Sequence, residues 1–192
     1  MTATPMKAVA IGASAGAVQA LLTILPALPA SFPLPVLVVV HVPADRSNVL
    51  VPLFQSKCRV TVKEAEDKEP IESGIIYFAP SDYHMLVETD GCLALSTDEP
   101  VNYSRPSIDV LFESAADYYG DGLAGVILTG ANHDGAAGLK AVMDIGGIAI
   151  VENPDGAYAS AMPNAALEAT PSATIMNHDQ IVTYLSSLGT AR

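Results

Sequence analysis

The chain has 192 residues, 50% of them hydrophobic, and carries a formal net charge of −12 from 21 acidic and 9 basic residues. That balance excludes non-specific nucleic-acid binding, which needs a basic surface, and suits an anionic membrane poorly. No apolar stretch reaches the roughly 18 to 20 residues of a membrane span, and the N-terminus MTATPMK lacks the basic-then-apolar order of a signal peptide, so one cytoplasmic domain without membrane insertion is expected over 1–192.

Lys7–Ile11 reads as a strand and Ala15–Leu25 as a helix. Val18, Leu21, Leu22 and Leu25 fall at the i, i+3, i+4, i+7 spacing of one helical face, and Pro26 and Pro29 end it. PVLVVV, Pro35–Val40, is a continuous run suited to a parallel strand buried on both faces. Val60–Lys63 and Ile75–Ala79 are further strands, and Met85–Val87 and Cys92–Leu95, joined through Thr89-Asp90-Gly91, form an antiparallel hairpin. A helix spans Ser107–Tyr119, capped by Ser107, with Ile108, Leu111, Phe112 and Ala115 on one face. Gly125–Leu128 is a buried strand, Gly138–Ile145 a helix stopped by Gly146-Gly147, and Ile148–Val151 a strand. Helices near Asn164–Glu168 and Asp179–Leu188 complete the chain. Strands alternating with helices predict an α/β fold: a doubly wound, mostly parallel sheet with helices on both faces and a small antiparallel hairpin at one edge.

Three polar residues follow three of these strands. KAVAIG leads to Ser14, PVLVVV directly to His41, and GVILTG to Asp134 in ANHDG. Open parallel sheets bind ligands outside the carboxyl ends of their strands, so all three lie at the edge where such sheets keep their chemistry. They are the residue types of a hydrolytic triad: serine attacks, histidine takes and returns its proton, and aspartate orients and stabilises the imidazolium. Each also has a plainer reading: Ser14 as a helix cap, His41 as a hydrogen-bonded strand end, Asp134-Gly135 as a turn or a helix N-cap. Together they favour catalysis, and their order, Ser then His then Asp, differs from the Ser, Asp, His order of α/β-hydrolases.

Other chemistries fit less well. Gly12, Ser14 and Gly16 do not make the Gly-x-Gly-x-x-Gly of a dinucleotide cradle, and no Gly-Lys-Ser/Thr marks a P-loop. His41, His84, His133 and His178 are scattered without metal-ligand spacing, and His133 reads as solvent-facing or as supporting its neighbour. Cys58 and Cys92 read as free thiols. Neither a metal nor an organic cofactor is expected. Tyr83 and His84 read as core members.

AIGASAGAVQAL, VVVHVP, VKEAEDKEPIESGIIYFAPSDYHML, SRPSIDVLFESAA and GVILTGANHDGAAGL together resemble the catalytic domain of chemotaxis protein-glutamate methylesterases, in order from about Lys7 to Ala166. The resemblance implies hydrolysis of glutamate γ-methyl esters on the cytoplasmic region of methylated chemoreceptors, and deamidation of particular receptor glutamines. It carries the triad onto Ser14, His41 and Asp134. Candidate oxyanion donors are backbone N–H groups near Ala15 and Ala131, and Arg105 in SRPSID is a candidate substrate contact. The stretch keeps the family's Met-Pro element at Met162-Pro163. It departs from the family at Ala15 and Ala17 in Ala15-Gly16-Ala17, where Thr or Ser followed by two glycines is usual. It departs again at Ala131-Asn132, where Met-Gly is usual. Many members carry an N-terminal receiver domain; here that control is expected to be absent or supplied by a separate regulatory protein. The rival readings are a non-catalytic module that binds receptors or signalling partners, and an esterase for another substrate.

Overall fold

The computed structural model describes residues 5–41 and 49–188. Its strands are β1 (Ala8–Ala13), β2 (Val36–Val40), β3 (Thr61–Glu64), β4 (Ile75–Phe78), β5 (His84–Val87), β6 (Leu93–Ser96), β7 (Leu123–Ile127), β8 (Ile148–Glu152) and β9 (Thr174–Met176). The helices are α1 (Ala17–Ile24), α2 (Leu50–Lys57), α3 (Ile108–Tyr119), α4 (Ala136–Asp144), α5 (Ala161–Ala169) and α6 (His178–Leu188).

Seven strands form one sheet in the order β3-β4-β2-β1-β7-β8-β9, and every pairing in it is parallel. The central strands β1, β2 and β7 bury both faces, as their unbroken apolar runs require. Val9, Ile11 and Ala13 of β1 and Val36, Val38 and Val40 of β2 point into one core with residues of α1, α2 and α6. Ala8, Ala10, Leu37 and Val39 point into the other, against α3, α4 and α5. The chain builds outward from β1 through β2 on one side and returns to β7 on the other. That reversal of direction beside β1 is where an open α/β sheet forms its crevice.

The Ser107 cap is present, its Oγ accepting the Val110 N–H at 3.5 Å, and Ile108, Leu111, Phe112 and Ala115 are all buried. Other expectations shift. In α1 the buried face is Ala17, Ala20, Leu21 and Ile24, while Val18 is exposed; the stripe has the expected spacing one residue earlier. Leu25 belongs to a short 3₁₀ turn, Leu25–Ala27. Helices α4 and α5 start before the predicted limits, at Ala136 and Ala161. The hairpin β5-β6 is a separate two-stranded sheet, and it does not extend the main one. It packs on α3, where Ser114 Oγ accepts the Val87 N–H at 3.1 Å. Helix α2 and strand β9 were not anticipated.

Candidate active site

The parallel register brings the three strand ends together. Ala13 pairs with Val40, so Ser14 and His41 stand level at the ends of β1 and β2, and the His41 N–H donates to Ala13 O at 3.1 Å. On the other side of β1 the Ser14 N–H donates to Thr129 O, just past β7, at 2.9 Å. Asp134 lies at the far end of the loop that Thr129 begins.

The turn after β1 displays Ser14. The Ala17 N–H donates to Ser14 O at 2.9 Å, and Gly16 takes a left-handed conformation (φ 83) that side-chain-bearing residues adopt only under strain. Gly16, not Ser14, is the N-cap of α1, and no side chain caps this helix. The cap reading of Ser14 is thereby corrected: its hydroxyl has no hydrogen-bond partner among the described residues. It faces an open cleft of about 640 Å³ lined also by Ala15, Val18, Gln19 and the exposed Tyr158. The N–H groups of Ala15 and Ala131 likewise have no acceptor among the described residues.

Gly12, at the inner end of the turn, is required for another reason. A Cβ there would stand 2.4 Å from Ile108 Cγ2, so only glycine lets the start of α3 close down on β1. That approach places the α3 N-terminus on Asp134.

Asp134 is fully buried and saturated with donors. Its Oδ2 accepts from His41 Nε2 at 2.8 Å and from the Ile108 N–H at 2.6 Å. Its Oδ1 accepts from Ser107 Oγ at 2.8 Å, Asn102 Nδ2 at 2.9 Å and the Asp109 N–H at 3.2 Å. Burial pushes this carboxyl up, but the hydrogen bonds from His41, Asn102, Ile108 and Ser107 outweigh it and bring the pKa down to about 2. Asp134 is therefore a fixed anion, and the nitrogen facing it, His41 Nε2, carries the proton. The other ring nitrogen, Nδ1, lies 3.1 Å from Asn132 Nδ2. His41 is mostly buried, its side chain 12% exposed.

A second layer holds this arrangement. Asn102 bridges Asp134 and Asp109, whose carboxyl oxygens also take the Gly138 N–H at 2.6 Å. Burial is the main cause that pushes the Asp109 carboxyl up. Behind Ser14, Thr129 Oγ1 donates to Ala15 O at 2.8 Å and accepts the Ala159 N–H at 2.8 Å. The Thr129 N–H donates to the buried Glu152 Oε2 at 2.7 Å, and the other Glu152 oxygen pairs with His178 Nε2 at 2.9 Å. None of Asn102, Asp109, Asn132 and Glu152 was singled out by the sequence as a site residue. The one available signal was the departure at Ala131-Asn132.

Arg105 is turned to its own loop, where Nη1 donates to Thr97 O and Asp98 O at 3.0 and 3.1 Å. His84 is a core member: its Nδ1 accepts the Ser107 N–H and its Nε2 donates to Glu99 O, both at 3.1 Å. Tyr83 is 41% exposed, which corrects its placement in the core. His133 is exposed, and Cys58 and Cys92 are free and half-buried. No metal-ligating cluster occurs among the described residues, and no described helix is long and apolar enough to cross a membrane.

A doubly wound parallel sheet with these polar side chains at adjacent strand ends defines an α/β enzyme of the ester-hydrolase kind. The chain belongs to the CheB methylesterase family, whose model matches residues 9–185. A Leptospira interrogans protein provisionally named protein-glutamate methylesterase/protein-glutamine glutaminase is 46% identical over 175 residues, 91% of each chain. The Archaeoglobus fulgidus protein-glutamate methylesterase/protein-glutamine glutaminase is 41% identical over 163 residues, which are 83% of this chain and 47% of that one. The chain thus spans about half the length of the Archaeoglobus relative. The crystal structure of the Thermotoga maritima CheB methylesterase catalytic domain matches with a TM-score of 0.91 and 33% identity, covering 96% of this chain and all of that one. The expected fold and enzyme class both stand.

Proposed function

We propose that this chain hydrolyses the γ-methyl esters of glutamate residues on the cytoplasmic region of chemoreceptors, through Ser14, His41 and Asp134. The observation that carries the reading is the His41–Asp134 hydrogen bond of 2.8 Å, made level with a serine at the end of the adjacent strand whose hydroxyl has no partner among the described residues. Family membership and the names of the relatives support the substrate class. The second activity in the relatives' names, glutaminase, extends the proposal to receptor glutamines, because an amide presents the same carbonyl carbon.

In the first step His41 Nδ1 takes the Ser14 proton while Oγ attacks the ester carbonyl. Asp134 stabilises the imidazolium through Nε2–H and fixes the ring's tautomer. The oxyanion falls to the Ala15 and Ala131 N–H groups; losing one such donor typically costs about 3 kcal/mol of barrier. Methanol leaves with the proton from His41. Water then attacks the glutamyl ester on Ser14 by the reverse route, freeing the carboxylate. Arg105 serves through the loop it ties, and control by a separate regulatory protein belongs to the same proposal.

The test is methanol release from methylated chemoreceptor membranes by the protein and by Ser14→Ala. Release that vanishes in the variant supports the reading. Equal release from both removes Ser14 from it, and no release from correctly folded wild type favours the binding-module alternative.

A further inference from the structure

Proton transfer leaves His41 one usable nitrogen. Nε2 lies 2.8 Å from the ionised Asp134 and donates to it, so the lone pair of the neutral ring sits on Nδ1. That lone pair is already engaged by Asn132 Nδ2 at 3.1 Å. The amide cannot be turned round, because its Oδ1 accepts the Asp134 N–H at 3.1 Å; a flip would set its NH₂ against that N–H. The Ser14 hydroxyl, the group that must reach Nδ1, has no partner among the described residues.

We propose that Asn132 is a positioning residue that holds His41 in a resting state, capping Nδ1 until Ser14 displaces it. The inference rests on the methylesterase reading above. An imidazole lone pair accepts one well-aligned hydrogen bond, so the Asn132 N–H and the Ser14 O–H compete for it. In the acylation step the Ser14 O–H bond breaks, its proton goes to Nδ1, and the freed Oγ electron pair forms the bond to the ester carbonyl carbon. The ring then carries hydrogen on both nitrogens, and the Asn132 amide meets Nδ1–H donor to donor. The Asn132 bond therefore stabilises the resting enzyme and not the transition state, which slows the chemical step.

Two substitutions separate this role from a structural one. Asn132→Ala removes the cap together with the Asp134 N–H acceptor. Asn132→Asp keeps that acceptor but presents an oxygen to Nδ1, which favours the protonated ring. Three readouts apply: kcat and KM for receptor demethylation, the labelling rate of Ser14 by a fluorophosphonate, and the Nδ1 ¹⁵N resonance of His41. The proposal expects Asn132→Ala to raise kcat and labelling rate roughly fivefold, the equivalent of one neutral hydrogen bond, with KM little changed. Its Nδ1 resonance moves toward the value of an unbonded ring nitrogen. Asn132→Asp slows both reactions at neutral pH and moves the acid limb of the rate profile to higher pH, with Asp134 still on Nε2. Slower labelling in Asn132→Ala, or an unmoved Nδ1 resonance, overturns the proposal. Labelling and resonance need no receptor, so absence of receptor turnover by the wild type would count against the methylesterase reading while those two still decide the role of Asn132.

Discussion

Replacing Asp134 with Asn tests the electrostatic design of the site at its most heavily bonded residue. The carboxyl falls from an ordinary 3.8 to about 2 on folding. A group whose pKa is depressed in the folded state adds stability above its unfolded pKa and loses it as the pH falls through the folded one. A drop of that size corresponds to roughly 2 to 3 kcal/mol, present above pH 4 and about half gone by pH 3. In Asp134→Asn this pH-dependent increment disappears. The new amide also sets an N–H against the Ile108 N–H or His41 Nε2–H, leaving a buried donor unpaired. Urea unfolding of both proteins between pH 6 and pH 3 reads the difference directly. With a slope of about 2 kcal/mol per molar, the wild type leads by more than 1 M in midpoint at pH 6 and by visibly less at pH 3. Other carboxylates titrate in both proteins and cancel in the difference. A gap that stays constant across this range would refute the reasoning.

Further substitutions probe the supporting residues. Gly12→Ala drives a Cβ against Ile108 and should cost about 1 to 3 kcal/mol; in the double variant with Ile108→Ala the losses should be less than additive, which thermal unfolding of the four proteins measures. Glu152→Ala strands the buried Thr129 N–H and should lower the Tm by roughly 5 °C while slowing turnover, because Thr129 O holds the Ser14 N–H; a change under about 1 °C would contradict it. Asn102→Ala removes donors from two buried carboxylates. At neutral pH it should lose about 1.5 to 3 kcal/mol, with the loss shrinking below pH 4 as Asp134 protonates in the variant.

The sequence exposed what depends on periodicity. Ser14 and His41 follow short apolar runs at once and Asp134 follows one after a short loop, and parallel strands carry such residues to one edge, so their neighbourhood was legible before their adjacency was. The residues that set the site's electrostatics were not. Asn102, Ser107, Asp109 and Asn132 reach Asp134 or His41 from loops and a helix start whose return path no local pattern encodes. The α1 stripe was displaced because Ala17 and Ala20, small and weakly hydrophobic, form the buried face while the larger Val18 points outward. Helix α2 buries only Leu50 and Phe54 and carries Pro52 in its first turn, which weakens its helical signal. Strand β9 has three residues at the sheet edge with no fully buried side chain.

The central claim is that His41 makes the Ser14 oxygen nucleophilic. Treating the protein, His41→Gln and Ser14→Ala with a fluorophosphonate, then locating the adduct by peptide mass spectrometry, tests it directly. The account predicts a single adduct on Ser14 in the wild type, formed at least a thousandfold more slowly in His41→Gln and not at all in Ser14→Ala. Labelling of Ser14 at the same rate with and without the His41 imidazole would contradict it.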